Sequence, residues 1–240
     1  MKKTKIVAAI TAICMLVSVF AAFGCVNASA DTANVSLYFA ELTFSKYGMS
    51  TRDIYVKTDG NSSNQAVTVH YHYYMNSWVD EEAELFTTLS DGSKIWKASI
   101  RSYATEYAIK YEANGHTYWD NNNGNNYKQD VLGTAPVTVE RSWYPYYNGS
   151  NTLRVALQNY AYQKNVFVRY TNDGWNTYTD APLSYYETNE NGTETWTGSV
   201  VRTAEDWHDF EYCVCYQVNG QEYWANNFGE NYTISHRVYP

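Results

Sequence analysis

The sequence predicts an all-β protein made of two tandem antiparallel β-sandwich domains, and three observations lead to this prediction. A nine-residue string occurs twice, as WDNNNGNNY from Trp119 to Tyr127 and as WANNFGENY from Trp224 to Tyr232. Short runs that alternate apolar and polar residues, the pattern of strands with one buried face, precede both strings in the same order. Asn-Gly and Asp-Gly turn signals separate the runs. Together these observations indicate an internal duplication.

The strands can be assigned in order along each copy. The runs of the first copy are Val35–Leu37, Ile54–Val56 and Val67–Tyr71, and those of the second are Val137–Val139, Leu153–Leu157 and Val166–Tyr170. Trp96 and Trp196 lie in later alternating runs, so we expect them in the core, and Trp78 is paired by position with Trp175. Each copy thus holds roughly seven or eight strands, which predicts an immunoglobulin-like layout. We expect the first domain to span residues 31–132 and the second to span residues 133–240.

The first residues are typical of an export signal. Three lysines precede an apolar stretch from Ile6 to Phe23, and Ala28-Ser29-Ala30 supplies a small-residue cleavage pattern. We therefore expect residues 1–30 to be a signal peptide and the protein to be secreted or held at the cell surface. A transmembrane anchor and a lipoprotein attached through Cys25 are the alternatives.

The composition narrows the classes of partner. The formal net charge is −8 and no run of Lys or Arg occurs, which argues against nucleic acid. Aromatic residues make up 17% of the chain, a content that suggests strands with aromatic faces available to ligands. Beyond the leader the only cysteines are Cys213 and Cys215. Because two residues so close on one strand form only a strained bridge, we expect free, partly buried thiols.

The repeated string combines an aromatic ring with a cluster of side-chain amides. A sugar ring offers an apolar face that stacks on an aromatic plane and hydroxyls that pair with donors and acceptors. Trp119 and Trp224 can supply the planes, and the amides belong to Asn121, Asn122, Asn126, Asn226, Asn227 and Asn231. The alternative is that these Asn residues only form turns and the Trp residues cap the core. Because ring and amides occur in both copies, we favour ligand contact.

The two strings, each after NGxxYW, and the stretch KNVFVRYTNDGW from Lys164 to Trp175 resemble the family 21 carbohydrate-binding modules and the related family 53. The resemblance covers nearly all of the mature chain, with one module per copy. It implies β-sandwiches that bind starch, glycogen or maltooligosaccharides. The implied α-glucan sites consist of Trp78, Trp119, Asn121 and Asn126 in the first copy and of Trp175, Trp224, Asn226 and Asn231 in the second.

The chain departs from the family pattern at a few positions. A third aromatic of the family site aligns with Ala108 and Cys213, which cannot stack on a sugar. Some family members have a second site with a Tyr before the Lys-x-Val strand. Tyr162 fits that role in the second copy, whereas Ser63 occupies the position in the first, so we expect such a site only in the second copy.

The sequence predicts a binding protein without enzyme activity. A glycoside hydrolase needs two carboxylates across the scissile bond, and the acidic run Asp80–Glu84 has no full equivalent in the second copy. Neither a Gly-x-Ser-x-Gly elbow nor an HExxH motif occurs. We expect a monomer with no cofactor and no metal site, working beside amylolytic enzymes on the same surface.

Three hypotheses about function follow. The first is an exported starch-binding protein. The second is a glycogen-targeting subunit of a protein phosphatase, a class that works in the cytosol and carries an Arg/Lys-Val-x-Phe docking sequence, whereas Arg154-Val155-Ala156-Leu157 here lacks the Phe. The third is a two-domain adhesin or structural protein that recognises another polysaccharide or a protein.

Overall fold

The computed structural model describes residues 34–44, 50–73, 77–128, 132–143, 150–203 and 210–233. The expected signal peptide, residues 1–30, lies outside the described residues, as does Cys25. Within the part of the chain that the structure describes, no helix has the length and apolar character needed to cross a membrane.

The first copy forms one antiparallel sheet that folds over its own core. Its strands are β1 (Val35–Phe44), β2 (Ser50–Thr58), β3 (Ala66–His72), β4 (Trp78–Thr88), β5 (Lys94–Arg101), β6 (Tyr107–Ala113) and β7 (His116–Asp120). They pair in the order β1-β2-β5-β4-β3-β6-β7. The first half of β4 pairs with β3 and the second half pairs with β5. One strand therefore belongs to both layers of the sandwich.

The second copy forms two separate antiparallel sheets. Its strands are β8 (Val137–Trp143), β9 (Ser150–Leu157), β10 (Lys164–Thr171), β11 (Thr179–Pro182), β12 (Ser184–Thr188), β13 (Glu194–Val201), β14 (Glu211–Val218), β15 (Gln221–Ala225) and β16 (Tyr232–Thr233). One sheet has the order β11-β10-β14-β15, with β16 beside β14, and the other has the order β12-β13-β9-β8. A 3-10 helix, Asn227–Gly229, connects β15 to β16. The predicted all-β fold of two antiparallel sandwiches is confirmed.

The segment equivalent to β4 is interrupted in the second copy at Leu183. This side chain is buried in the second core, and its N–H donates to the carbonyl of Val166. Space for it comes from Gly198, where a Cβ would lie 2.5 Å from Leu183 Cδ2. In the first copy the corresponding pair is Ala83 and Ala98, both of which contribute to the first core. The larger side chain at 183 is thus accommodated by the smaller residue at 198.

Each copy has a core of alternating inward-facing residues. Tyr107 and Tyr111 are fully buried in the first, and Tyr216 and Phe210 in the second. Trp96 and Trp196 are half-buried and pack against these two cores, as the strand pattern predicts. Their indole N–H groups donate to Thr58 Oγ1 and Glu194 Oε2 at 3.0 and 2.9 Å.

A third cluster of apolar residues joins the copies. Phe39, Tyr55, Ile95, Leu132, Ala135 and Ala156 are its buried members, with Tyr38, Leu89 and Phe228 packed against them. We call this set the junction cluster. The connecting residues 133–135 lie along β1, where the N–H groups of Gly133 and Ala135 donate to the carbonyl of Tyr38. Only Gly fits at 133, because a Cβ there would lie 2.1 Å from the carbonyl oxygen of Leu37.

Candidate functional site

An exposed aromatic surface lies on the outer face of the first copy. The core side of β3 carries Val67, Val69 and Tyr71, so strand alternation directs His70 outward. The His70 ring stacks on Trp78, with centroids 4.7 Å apart and an interplanar angle of 10°, and meets Trp119 edge-on at 5.8 Å. Trp78 is 40% exposed and Trp119 is 51% exposed. We call Trp78, His70 and Trp119 the first platform.

The second copy has a matching surface built from different residues. The Arg169 guanidinium lies 4.3 Å from the ring centroid of Tyr178 and 5.3 Å from that of Trp224, which is 36% exposed. Two hydrogen bonds of 2.7 Å join Arg169 to Asp180. These bonds raise the pKa of Arg169 above its usual value, so the cation is permanent. Tyr178, Arg169 and Trp224 form the second platform.

The structure corrects the expected pairing of Trp78 with Trp175. Asp80 faces His70 and Asp180 faces Arg169, so the two aspartates occupy equivalent register positions. Trp78 and Tyr178 each lie two residues before them, and Tyr178 is therefore the counterpart of Trp78. The sequence alone suggested the wrong counterpart because Trp175 and Tyr178 both follow β10 within a few residues.

Trp175 serves a different arrangement. It lies in the loop after β10 with a φ of +66°, and its indole Nε1 donates to Glu211 Oε2 at 2.6 Å. The amide of Asn231 donates to the same oxygen at 3.0 Å. Asn126 donates to Glu106 in the same way in the first copy, at 2.9 Å. Trp175 is thus partly buried and hydrogen-bonded to the protein, and its contact with a ligand stays a prediction.

Glu106 and Glu211 were missed by the sequence reasoning. Each accepts a hydrogen bond from the last Asn of its loop. Glu106 directly precedes β6, and Glu211 is the first residue of β14. Their separation equals that of Trp119 and Trp224, so the same internal repeat carries the signal that could have found them.

The Asn-rich loops use most of their amides to hold their own shape. Asn122 and Asn126 have φ values of +51° and +55°, and Asn227 and Asn231 have +50° and +57°. Such left-handed positions favour Asn over most residues. The Nδ2 groups of Asn122 and Asn227 donate to the carbonyls of Asn126 and Asn231 at 3.0 and 3.2 Å. These four Asn residues therefore do form turns, which is one of the two roles considered for them.

Asn121 and Asn226 differ from the other loop residues. Their Oδ1 atoms accept from the N–H groups of Gly124 and Gly229, at 3.0 and 3.2 Å. Among the described residues, neither Nδ2 group has a protein acceptor. Each loop therefore presents an amide donor two residues after the exposed Trp, directly after the strand that carries the ring.

Asp120 has a structural role that its counterpart Ala225 lacks. The Asp120 carboxylate accepts from the N–H of Leu37 at 2.8 Å and from the hydroxyl of Tyr127 at 2.7 and 2.8 Å. Burial and this carboxylate raise the pKa of Tyr127 above its usual value. Ala225 is buried in the second core. A carboxylate at this position thus ties the first loop to β1.

The remaining candidate, Tyr162, is 98% exposed in the segment before β10. Its neighbour Lys164 is engaged, since its Nζ donates to Glu194 Oε2 at 2.8 Å and to Asn159 Oδ1 at 2.6 Å. In the first copy Ser63 bonds to Asn114. Tyr162 is thus an exposed ring next to a lysine that is already bonded within the protein.

The two cysteines are buried free thiols on one face of β14. Cys215 lies opposite both Trp224 and Phe167 in the strand register. Burial raises the pKa of Cys213 to about 11 and that of Cys215 to about 12. Protonated, buried thiols are unreactive at neutral pH, and the expected free, partly buried thiols are what the structure shows.

A family model for the carbohydrate/starch-binding module (family 21) matches residues 45–130 and 133–235. The chain belongs to this family. It carries two family 21 modules in tandem, as the resemblance of the repeated strings predicts. The matched segments place carbohydrate binding, of the starch and glycogen type, in both copies.

Several named proteins are similar to a stretch of this chain that is about as long as one module. Protein phosphatase 1 regulatory subunit 3B of Rattus norvegicus is 36% identical over 85 residues, which are 34% of this chain and 30% of the relative. Regulatory subunit 3C of Bos taurus is 37% identical over 89 residues, 34% of this chain and 27% of the relative. The chain thus spans less than a third of the length of these relatives.

Two solved structures also resemble part of the chain. The carbohydrate-binding module of the muscle glycogen-targeting subunit of protein phosphatase 1 is 24% identical with a TM-score of 0.36, covering 41% of this chain and 73% of that one. The starch-binding domain of Rhizopus oryzae glucoamylase, solved with β-cyclodextrin and maltoheptaose, is 23% identical with a TM-score of 0.34, covering 42% and 94%.

The comparisons contradict the expected localisation. The named relatives are regulatory subunits of protein phosphatase 1, the class described above as working in the cytosol. The expectation of a secreted or cell-surface protein, including a lipoprotein attached through Cys25, is therefore wrong. That expectation rested mainly on the export-signal pattern of residues 1–30, and this pattern gives no information about the two modules.

Proposed function

We propose that this chain is a tandem α-glucan-binding protein without catalytic activity, which holds starch or glycogen chains through one platform in each module. The modules would correspond to residues 31–132 and 133–240. The observation that carries the proposal is that each copy exposes a Trp ring two residues before an Asn whose Nδ2 has no acceptor among the described residues, Trp119 before Asn121 and Trp224 before Asn226.

The platform residues divide into two groups by their contacts. Trp78 and Trp119 in the first module, and Tyr178 and Trp224 in the second, are exposed rings on which the apolar face of a glucose unit can stack. The residues that shape the surroundings are Asn122, Asn126, Asn227, Asn231 and Trp175, through bonds within the loops or to Glu106 and Glu211. Ligand hydroxyls would meet Asn121 and Asn226.

Tyr162 provides a candidate for an additional contact in the second module. Its ring is almost fully exposed, so a glucose unit could stack on it without displacing any protein contact. A glucan chain held here as well as at the second platform would contact that module twice, whereas the first module has Ser63 at the corresponding position.

Calorimetry with maltoheptaose tests the proposal. Trp119→Ala and Trp224→Ala should each remove one binding site, because loss of the ring removes the stacking surface, and the double variant should also fail to sediment with insoluble starch. Trp119→Tyr, which keeps an aromatic plane, is the matched control and should retain its site. Tyr162→Ala should remove one further site. Undiminished binding in the Trp119→Ala/Trp224→Ala double variant would refute the platforms.

A second candidate function is recruitment of a protein phosphatase to glycogen. The named relatives favour a phosphatase over amylolytic enzymes as the protein partner. However, the tetrapeptide nearest to a docking sequence, Arg154–Leu157, lies within β9, where Val155 and Leu157 are fully buried. Pull-down of the protein phosphatase 1 catalytic subunit by the full chain would support this function, and its absence under conditions that retain glycogen would remove it.

A further inference from the structure

The Asn-rich loops of the two modules differ at one central position. Phe228 in the second loop replaces Asn123 of the first, and the backbone is the same, with φ values of +57° and +56°. Asn adopts this left-handed conformation readily, whereas a bulky aromatic residue rarely does. A Phe held there requires compensation from contacts with its surroundings.

The compensating contacts come from the other module. The Phe228 ring lies 5.1 Å from Phe86, 5.4 Å from Tyr55, 5.9 Å from Phe39 and 6.1 Å from Tyr38, measured between centroids. The pair with Phe39 is stacked at 19° and the pair with Phe86 is edge-on at 69°. Both are favourable arrangements for aromatic rings. All four partners belong to strands of the first module.

The aromatic side chains of the first module that contact Phe228 have their own stabilising contacts. Phe39 and Tyr55 are only 7% and 3% exposed, and the ammonium group of Lys97 lies 5.3 Å from the ring of Tyr55 and 5.8 Å from that of Phe86. Tyr55 also donates its hydroxyl to Glu41 Oε1 at 3.1 Å. Phe228 therefore enters an aromatic surface whose own side chains are held in place.

The same loop carries Asn226, whose amide is proposed to meet a ligand at the second platform. Phe228 lies inside the turn that Asn226 closes, because the Asn226 carbonyl accepts from the N–H groups of Gly229 and Asn231 at 3.0 and 2.8 Å. The Asn226 side chain caps the same 3-10 helix. Any displacement of Phe228 must consequently displace Asn226, which directly follows Trp224 and Ala225 in sequence. The first loop, with exposed Asn123, has no such connection to the second module among the described residues.

We propose that Phe228 is a positioning residue through which the first module holds the second platform in its ligand-binding geometry. This inference rests on the proposed α-glucan function and adds a dependence that is one-way. The second site requires the Phe228 contact with the first module, whereas the first site does not require the second module. The tandem arrangement thus does more than place two independent sites on one chain.

The binding test uses full-length variants that retain a single platform. Phe228→Asn, which installs the residue of the first loop, is combined with Trp119→Ala to report the second site and with Trp224→Ala to report the first. Affinity for maltoheptaose should fall by about fivefold or more in the first combination and stay unchanged in the second. Phe228→Leu, which keeps an apolar contact, should recover much of the loss. Equal losses at both sites, or none at either, would overturn the proposal.

Hydrogen exchange of the same variants separates this inference from the proposed function. In Phe228→Asn the amides of Gly229 and Asn231 should exchange faster, while those of Gly124 and Asn126 in the first loop should not change. Unaltered exchange in the second loop would overturn the positioning role whatever the affinities are. If the parent protein bound no maltoheptaose, the proposed function would fail, and exchange would still decide whether the first module holds this loop.

Discussion

The two platforms share a backbone arrangement with one exposed Trp, and they differ in the side chains next to that Trp. In both, an exposed Trp on the strand before the Asn-rich loop flanks a cationic or aromatic side chain that pairs with an aspartate on the neighbouring strand. The first places the flat ring of His70 between two indoles, whereas the second places the permanently charged Arg169 between a phenol and an indole. After duplication, the backbone and the stacking ring stayed, and the side chains between the rings diverged.

The loops show the complementary difference. The first loop is tied to its own module through Asp120, which bonds to β1, whereas the second is tied to the other module through Phe228. Two loops of similar backbone conformation are thus anchored by different contacts. Variants that exchange these features between the copies can break or sharpen the comparison.

The largest effect should separate core rings from platform rings. Trp96→Ala and Trp196→Ala should each lower the free energy of unfolding by about 3 kcal/mol, because the ring packs against a core and its acceptor, Thr58 Oγ1 or Glu194 Oε2, loses a donor. Trp119→Ala should change it by less than about 0.5 kcal/mol, since the ring is half exposed. Denaturant unfolding measures both. A loss at Trp119 as large as at Trp96 would reassign that ring to the core.

An intermediate effect is expected at Asp120. Asp120→Ala gives the first loop the residue that the second has, and should cost about 1–3 kcal/mol because the N–H of Leu37 and the hydroxyl of Tyr127 lose their acceptor. Adding Tyr127→Phe removes one stranded donor and should restore part of the stability. The reverse change, Ala225→Asp, should destabilise as well, because it buries a carboxylate in the second core. A neutral Asp120→Ala would show that the carboxylate does not anchor the loop.

The smallest effect concerns the turn before β5. Bonds from Ser93 and an ion pair with Lys57 lower the pKa of Asp91 to about 2, whereas the second copy has Asn191 with the same bond from Thr193. Because the pKa is lowered on folding, Asp91 stabilises the protein above its ordinary pKa, and this contribution is lost as pH falls toward about 2. Asp91→Asn should remove this pH dependence at a cost below about 1 kcal/mol, since the pair is exposed.

Carboxyl NMR titration of the parent chain measures that value directly. Lys57→Met, which removes the partner charge and keeps Ser93, is the control and should move the pKa of Asp91 only part of the way back. A titration near the ordinary aspartate value in the parent chain would contradict the hydrogen-bonded geometry of this turn.

Part of the candidate site could be predicted from the sequence and part could not. The spacing of the repeated strings located Trp119, Trp224 and the Asn-rich loops, and the strand alternation separated Trp96 and Trp196 from them. Tyr178 was missed because its equivalence to Trp78 depends on strand register, not on distance along the chain. The roles of Trp78, Tyr162 and the loop amides toward a ligand remain predictions.

The sequence by itself determined the elements that depend on near neighbours. Strand alternation, left-handed Asn positions and tight turns are properties of a few consecutive residues, and duplication made them visible twice. Only the tertiary structure decided which side chains meet across the fold. Phe228 contacts Phe39 at a separation of 189 residues, 228 − 39, and no local pattern carries that information. Such contacts arise from how the completed sandwiches pack, because burial of apolar rings is non-directional and selects partners only once the strands are in place.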